Sequence, residues 1–398
     1  MDKKNTKVNL IAAPTAEVNT PIFKTVNNKD YVFYGVKNNY PAILKAMMNS
    51  SSLHSAILKK KTDMIASKGF VIEDKKIENF VANLNGKESL EDIVYKNAYD
   101  LTLYGGFSYL VTWSKDKKTI ARISYIDFGS VRMVKELNDG SDIATKQKDG
   151  VEFFLCSSDW TQERKNEHKP KLIQGFSTEY QEETTQLVYV KMYRPGCEDT
   201  YPLPDYQACS TYIDLDTEIS NWHLNSVKNG FTPSMMINMV GTPSDEEMRL
   251  FQRKLEEQYA GSANSSKILL TISEDETQIP QITPLTLNDS DERYKDLANQ
   301  VKEQIIIGHR TSSTVCGVPT AGKLGNSSEI IEAENVFQKN VIDGYQYLIE
   351  RSYNRLLLIN GIDGDLELEQ SITFDLEDVV EEDEKEDKKI KEDKDAEQ

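Results

Sequence analysis

A phosphate-binding motif is the first candidate for chemistry in this chain. Residues 317–323 read GVPTAGK and match GxxxxGK, the beginning of a P-loop, whose backbone amides and lysine hold the phosphates of a nucleotide. Leu324 stands where the Mg²⁺-binding Ser or Thr belongs, and Pro319 lies inside the loop. No apolar strand directly precedes Gly317. We therefore expect a polar loop that carries a lysine, and no nucleotide site.

Two further patterns could support catalysis. His309 and Cys316 lie seven residues apart and could act as a base and a nucleophile, but no third group that would orient them is visible. We expect His309 to be a polar loop residue. Acids at 214/216, 245–247 and 274–276 could imitate a two-metal nuclease site. Because two of these clusters fall where helix caps and turns favour acids, the sequence predicts no catalytic, cofactor or metal site.

Two amphipathic helices are predicted at 206–230 and 288–308. Pro202 and Pro204 precede Asp205, a candidate N-cap, and Asn229-Gly230 is a stop signal. Apolar residues recur at steps of three and four on each helix. The first stripe holds Ala208, Tyr212, Leu215, Ile219 and Trp222, and the second holds Tyr294, Leu297, Val301 and Ile305. Packing within a globular domain and burial against a neighbouring subunit both stay open, and the tyrosines and Trp222 could also stack on bases.

The segment between these helices, 231–287, has the pattern of a small α/β unit. Apolar runs at 235–240, 267–272 and 278–285 predict three strands. Ser244 opens a capping box for a helix that ends at Gly261. The exposed face of that helix supplies candidate partner-binding residues, although a solvated face explains the same pattern. These residues are Asp245, Glu246, Arg249 and Arg253.

The remainder of the chain reads as an α+β protein. Helices are expected over about 41–67 and 89–104, and five strands follow, in a sheet expected to be antiparallel and meandering. Residues 158–185 are expected to be a polar surface excursion. A Gly-, Ser- and Thr-rich loop at 310–327 leads into a helix of about 30 residues that ends at Gly361. A last strand is expected at 366–374, before a tail, 377–398, with 12 acids and 5 lysines.

Composition excludes several classes of protein. The net charge of −18 argues against a protein that grips nucleic acid by neutralising phosphates. No apolar run reaches the roughly 20 residues that span a bilayer, so no membrane contact is expected, and the first residues lack the apolar core of a signal peptide. The four cysteines have no metal-binding or disulfide spacing, so we expect buried thiols.

The ordered parts of this chain resemble the portal proteins of tailed bacteriophages and prophages. The resemblance rests on six strings: YGVKNNYPAILKAMMNSSSLHSAI (34–57), LTLYGGFSYLVTW (101–113), ISYIDFGSVRMV (123–134), YPLPDYQACSTYIDLD (201–216), VKNGFTPSMMI (227–237) and CGVPTAGKLGNSSEIIEAENVF (316–337). It implies an antiparallel sheet plus helices as the wing (1–205 and 327–376, including the long C-terminal helix), a two-helix stem (206–230 and 288–308), a small α/β clip (231–287) and a tunnel loop (309–326). The acidic tail (377–398) is expected to be disordered because of its composition alone.

The resemblance also implies a function. Portal proteins form a homo-oligomeric ring, expected here to be a dodecamer, at one capsid vertex of the virion. The ring conducts double-stranded DNA during packaging and ejection, and it docks terminase, the head-to-tail connector or adaptor, and capsid or scaffold protein. Assembly would occur in the host cytoplasm. Little but a strand and the tail follows Gly361, so the helical crown of many portal proteins is not expected.

The resemblance to portal proteins also implies roles for individual residues. Residues on the tunnel loop would face the DNA channel, with Arg310 and Lys323 touching phosphates transiently; they are Arg310, Thr311, Ser312, Ser313 and Lys323. The stem stripe would form the contact between subunits, through Tyr212, Leu215, Ile219 and Trp222. Two alternatives stay open: a DNA-packaging or DNA-processing enzyme, either a nucleotide hydrolase or a nuclease, and a virion adaptor that does not conduct DNA.

Overall fold

The computed structural model describes residues 23–26, 28–84, 88–195, 200–229, 235–240, Glu246, 249–250, 268–273, 290–317 and 327–370. Within them the fold mixes helices with small sheets, as the α+β prediction requires. The predicted third strand of the 231–287 segment and the acidic tail lie outside the described residues.

Four helices dominate the described residues between positions 23 and 104: α1 (Tyr40–Ser50), α2 (Ser52–Ala66), α3 (Lys75–Asn83) and α4 (Leu90–Tyr104). The predicted helical region at 41–67 is divided at Ser51, whose extended backbone caps α2. The predicted start of the helix at 89–104 is confirmed, and a capping box marks it, because Ser89 and Asp92 bond reciprocally. Gly105 ends α4 with a φ of 81°, and a Cβ there would lie 2.6 Å from the Leu203 carbonyl oxygen, so only glycine fits.

Short strands frame this region: β1 (Lys24–Thr25) pairs antiparallel with β2 (Val32–Phe33), and β3 (Phe70–Val71) pairs antiparallel with β12 (Glu367–Leu368). Two three-stranded antiparallel sheets follow. The first has the order β5 (Ile120–Tyr125), β4 (Gly106–Trp113), β9 (Thr185–Lys191), and the second has β6 (Val131–Met133), β7 (Phe153–Cys156), β8 (Lys171–Gln174). A short helix, α5 (Asp142–Lys148), separates β6 from β7.

Two sequence expectations about the sheets are wrong. The single meander is instead two sheets, because β4 pairs with β9, about 75 positions further along the chain, as well as with its neighbour β5. The 158–185 segment is not only a surface excursion, since β8 lies within it and pairs with β7. The polar run conceals this strand because Lys171 and Leu172 at its beginning are exposed and only Gln174 is buried.

The two helices of the predicted hairpin are present. A 3₁₀ turn (Asp205–Cys209) leads into α6 (Ser210–Asn229), and α7 (Ser290–Gly308) returns and packs against it. Between them, β10 (Met235–Val240) and β11 (Ile268–Ser273) pair in parallel, as a strand-helix-strand order requires. Two of the three strands predicted in this segment are therefore confirmed.

The predicted long helix is nearly continuous from Ser327 to Ile359. It consists of α8 (Ser327–Phe337), a π-helical segment (Gln338–Ile342) and α9 (Asp343–Ile359), and Gly361 follows with a φ of 67°. The π segment was not predicted from the sequence. Of the predicted last strand, the structure describes only β12, which is shorter than expected.

Two large apolar cores organise these elements. One joins α4, β4 and β5 to the long helix, through residues such as Ile93, Tyr109 and Ile349. The other joins α1 and α2 to the two hairpin helices, through residues such as Leu58, Ile213 and Ile305. The base of the hairpin is therefore built into the same core as the N-terminal helices.

Candidate functional site

A cluster of buried polar side chains fixes the base of the hairpin. We call it the hairpin-base cluster; it consists of His54, Lys61, Asp205, His309 and Tyr345. These residues come from α2, the turn before α6, the residue after α7, and α9. The cluster therefore joins both hairpin helices to the N-terminal helices and to the long helix.

An ion pair forms one half of the cluster. The Lys61 ammonium lies 2.6 Å from Asp205 Oδ2, and the two side chains are 1% and 8% exposed. The Tyr345 hydroxyl donates to the same carboxylate oxygen at 2.7 Å. Asp205 was predicted as a helix N-cap, and this is wrong: Pro204 holds the cap position, and the Asp205 carboxylate turns inward to Lys61.

Two histidines form the other half. His54 Nδ1 and His309 Nε2 lie 2.8 Å apart, so one nitrogen donates its hydrogen and the other accepts it. The Tyr206 ring stacks on His309 with centroids 5.0 Å apart and meets His54 edge-on at 4.6 Å. Both imidazoles are fully buried. The expectation that His309 is a polar loop residue is therefore wrong.

Burial and charge keep both imidazoles neutral. Burial lowers the pKa of His54 to about 3, with a further contribution from the Lys61 cation and an opposing one from Asp205. Burial, then Lys61 and His54, hold the pKa of His309 well below its ordinary value. His54 Nε2, His309 Nδ1 and Asp205 Oδ1 have no hydrogen-bond partner among the described residues. A proton added to either ring would meet the Lys61 charge while shielded from solvent by burial.

Tight packing closes the cluster at the crossing of the two helices. Gly308 ends α7 against Cys209, and a Cβ at Gly308 would overlap the Cys209 side chain. Burial raises the pKa of the Cys209 thiol to about 11, so it behaves as a packing group. The predicted buried thiols are thus confirmed for Cys209, whereas Cys156 and Cys316 are half-buried.

The loop that follows α7 is anchored at its beginning. Arg310 is exposed, has a φ of 58° and donates to the Asn340 carbonyl oxygen at 2.8 Å. Ser312 is exposed, and Thr311 and Ser313 are half-buried. Val315 is 6% exposed and belongs to the larger core. The first half of the loop is therefore pinned by an apolar side chain, which its polar composition did not suggest; Lys323 lies outside the described residues.

The four residues of the predicted stem interface differ in exposure. Tyr212 is 37% exposed, and Leu215 and Trp222 are half-buried. Ile219 is 8% exposed and belongs to the core shared with α7. Among the side chains of α6 that the structure describes, Ile213 is the most deeply buried, and it lies next to the predicted stripe. The chain thus covers Ile219, whereas Tyr212, Leu215 and Trp222 keep part of their surface exposed.

Of the residues predicted to bind a partner on the 231–287 segment, Glu246 and Arg249 are exposed. Asp245 and Arg253 lie outside the described residues, as does most of the P-loop-like sequence. Within the described ranges, no group of three His, Cys, Asp or Glu side chains is arranged to hold a metal ion. None of the described helices combines the length and apolar character that crossing a bilayer requires.

Comparison with known proteins shows a match to a protein family. The family model of the phage portal protein matches residues 49–391 of this chain. An uncharacterized protein of Rickettsia bellii (strain RML369-C) is 33% identical over 89 residues, which are 22% of this chain and 23% of that protein. The chain therefore matches less than a quarter of that relative's length.

Solved structures share the fold. The fold resembles a chain in the virion of a native gene transfer agent (GTA) particle, with a TM-score of 0.54 and 12% identity over 87% of both chains. It also resembles a chain in the neck of an empty GTA particle computed with C6 symmetry, with a TM-score of 0.54 and 12% identity, covering 87% of this chain and 88% of that one. A third match is the neck of a native GTA particle computed with C12 symmetry, with a TM-score of 0.51 and 12% identity over 86% of both chains.

Proposed function

The chain belongs to the phage portal protein family, and from this premise we propose that it forms a ring at one vertex of a capsid and conducts double-stranded DNA during packaging and ejection. The observation that carries the proposal is the family match over residues 49–391, which includes the hairpin, its base and the long helix. The likeness to a neck chain solved with C12 symmetry supports a dodecameric ring. The ring would assemble in the host cytoplasm and reside in the virion.

The hairpin supplies the proposed stem, α6 and α7. In a closed ring, each subunit presents one surface to its neighbour on one side and a different surface to the other. Tyr212, Leu215 and Trp222 retain exposed area after the hairpin has packed on itself. Burial of this remaining area between adjacent hairpins would stabilise the ring.

An acidic conduit suits the passage of DNA. A net charge of −18 per subunit repels the phosphate backbone, so the duplex does not adhere to the ring. Arg310 is an exposed cation held in place by the Asn340 carbonyl at the base of the tunnel loop. With Thr311, Ser312, Ser313 and Lys323, it would touch phosphates without reading bases.

Membership of the portal family also suggests the remaining partners. The clip would present Glu246 and Arg249, which are exposed, together with Asp245 and Arg253 to terminase during packaging and later to the connector. The wing would contact capsid or scaffold protein. The protein itself would perform no catalysis, and its chemistry would be limited to contacts that form and break as DNA moves.

Ring formation is the first test. We expect the purified full-length chain to form rings with an axial hole in negative-stain images, because family membership and the exposed stem residues both predict cyclic assembly. Closed discs without a hole would favour a virion adaptor that does not conduct DNA. A monomer at all concentrations accessible to sedimentation would contradict the proposal.

Nucleotide binding separates the portal from a packaging enzyme. Because Leu324 replaces the Mg²⁺-binding residue of a P-loop, we expect the full-length chain neither to bind nor to hydrolyse ATP with Mg²⁺ present. Equilibrium binding of labelled ATP and phosphate release are measured in the wild type and in Lys323→Ala. Saturable, Mg²⁺-dependent binding that Lys323→Ala abolishes would favour the enzyme.

A further inference from the structure

The outward side of the long helix carries large apolar residues that the described part of the chain leaves uncovered. Val336, Tyr347 and Leu358 are 53%, 60% and 68% exposed. They share this side with Asn340, Gly344 and Arg351, at steps of three, four and seven residues. We call these six residues the long-helix face. Beside Val336 and Asn340 lies a groove of about 410 Å³, which Arg310, Glu329 and Glu332 also line.

Gly344 lies within the first turn of α9, where its own chain gives no reason for a glycine. A Cβ built on it meets nothing within 4 Å among the described residues, and its backbone is not in the left-handed region. Glycine is less favourable in a helix than every other residue except proline. Glycine is also the residue that permits the closest approach of another backbone. Its position between Asn340 and Tyr347 therefore fits a contact made by another chain.

From position 338 onward, the charge of this side is opposite to that of the whole protein, whereas the groove before it is lined by Glu329 and Glu332. Among residues 338–359, the exposed charged side chains are Lys339, Arg351 and Arg355, and none is a carboxylate. The whole chain has 65 acids and 47 basic residues. A second copy of the chain is therefore a predominantly acidic surface that a basic strip attracts. The uncovered Tyr347 and Leu358 favour a protein over nucleic acid, since phosphate contacts gain nothing from exposed leucine.

We propose that the long-helix face is a contact with the neighbouring copy of this chain, in addition to the stem. This inference rests on the proposed ring. A closed ring joins two unlike surfaces of each subunit, and opposite charges on them favour the contact. The basic part of the long-helix face would meet an acidic surface of the neighbour, the apolar residues are covered on assembly, and Gly344 lets the two backbones approach.

The central test substitutes Gly344 with a residue that the free subunit accommodates. Gly344→Gln should raise the thermal midpoint of the unassembled subunit by a few degrees, because glutamine is a better helix former and meets open space. In sedimentation velocity, the same variant should require at least tenfold more protein to form rings. Glu78→Gln is the control, since it places the same side chain at an exposed position of α3.

Charge reversal distinguishes the neighbouring copy from other occupants. Arg351→Glu should also raise the concentration needed for rings at least tenfold, and less so at high salt, where the repulsion it introduces is screened. If Arg351→Glu leaves rings intact but removes binding of a short DNA duplex, the face binds DNA and the proposal is wrong. If removal of residues 377–398 makes assembly insensitive to Arg351→Glu, the acidic tail of the same chain is the occupant, and the proposal is again wrong.

The behaviour of the wild type distinguishes a failure of the proposed ring from a failure of the proposed contact on the long helix. If the wild type forms no rings, the proposed function fails, whatever the variants do. If the wild type forms rings and both Gly344→Gln and Arg351→Glu form them equally well, the ring stands and the contact on the long helix does not.

Discussion

Replacing Lys61 with Met should lower the free energy of unfolding of the unassembled subunit by about 3 to 5 kcal/mol, the cost of leaving one partner of a buried ion pair unpaired. The Asp205 carboxylate would keep only the Tyr345 hydroxyl as a hydrogen-bond partner, and its Oδ1 atom already has none among the described residues. Urea unfolding followed by circular dichroism measures the change.

Two variants test whether the buried charge is the cause. Lys61→Met combined with Asp205→Asn should recover most of the loss, because the asparagine is neutral and still accepts from Tyr345. Lys59→Met removes the Lys59–Asp63 pair on the same helix, whose side chains are 55% and 48% exposed, and should cost less than about 1 kcal/mol. Equal losses in Lys61→Met and Lys59→Met would show that burial of the pair contributes nothing.

The Lys61–Asp205 pair lies where the proposed stem joins the proposed wing, so its loss would affect the part of the subunit that matters for assembly. Lys61 belongs to α2, Asp205 precedes α6, and Tyr345 belongs to α9, so the pair holds the proposed stem to the proposed wing. A hydrophobic trio of the same volume would hold the same elements with less desolvation cost. The ion pair instead fixes one relative orientation, since the carboxylate must meet both the ammonium and the hydroxyl. Loss of this ion pair would release the hairpin from the rest of the subunit.

The sequence was sufficient for elements whose signals are local. The α4 start was predictable because Ser89 and Asp92 form a capping box, and its end because Gly105 follows. The hairpin helices were predictable from the three-and-four spacing of their apolar residues. These signals depend only on residues within one or two turns, so they survive without knowledge of the tertiary structure.

The hairpin-base cluster could not be predicted in the same way. Its members lie at positions 54, 61, 205, 309 and 345, and only the tertiary fold brings them together. One signal was nevertheless present: His54, Leu58, Lys61 and Ile65 recur at steps of four and three, which places a histidine and a lysine on the apolar side of α2. Charged residues on such a side are rarely left unpaired, so a buried partner was to be expected.

Strand β8 and the π segment were missed for a different reason. The β8 strand pairs with one neighbour and has mostly exposed or half-buried side chains, so it lacks the alternation that marks a half-buried strand. In the π segment, Gln338 turns inward and bonds with Asp343 and Gln346. Three polar residues satisfy one another there, and polar residues in a helix sequence predict an exposed face.

Acid should destabilise the unassembled subunit through the two buried histidines. The unfolded chain takes up protons on histidine near pH 6.5, whereas the folded pKa of His54 is about 3 and that of His309 is also depressed. A histidine whose folded pKa is lowered favours folding fully only above pH 6.5, and its contribution falls as the pH decreases. His54 should therefore remove about 1.4 kcal/mol per pH unit between pH 6.5 and its folded pKa, and His309 should add a loss of the same sign.

Between pH 7.5 and pH 5, His54 alone should thus cost about 2 kcal/mol of the free energy of unfolding, and His309 should add to that loss. The measurement is urea unfolding of the unassembled subunit at both pH values, in the wild type and in His54→Gln combined with His309→Gln. Glutamines at both positions do not titrate, so the difference between the two pH values should shrink by at least about 2 kcal/mol. His223→Gln replaces an exposed histidine and should leave the difference in the free energy of unfolding between the two pH values unchanged. If the double variant retains the wild-type acid sensitivity, protons are taken up elsewhere, and the histidine pair serves only to pack the base of the hairpin.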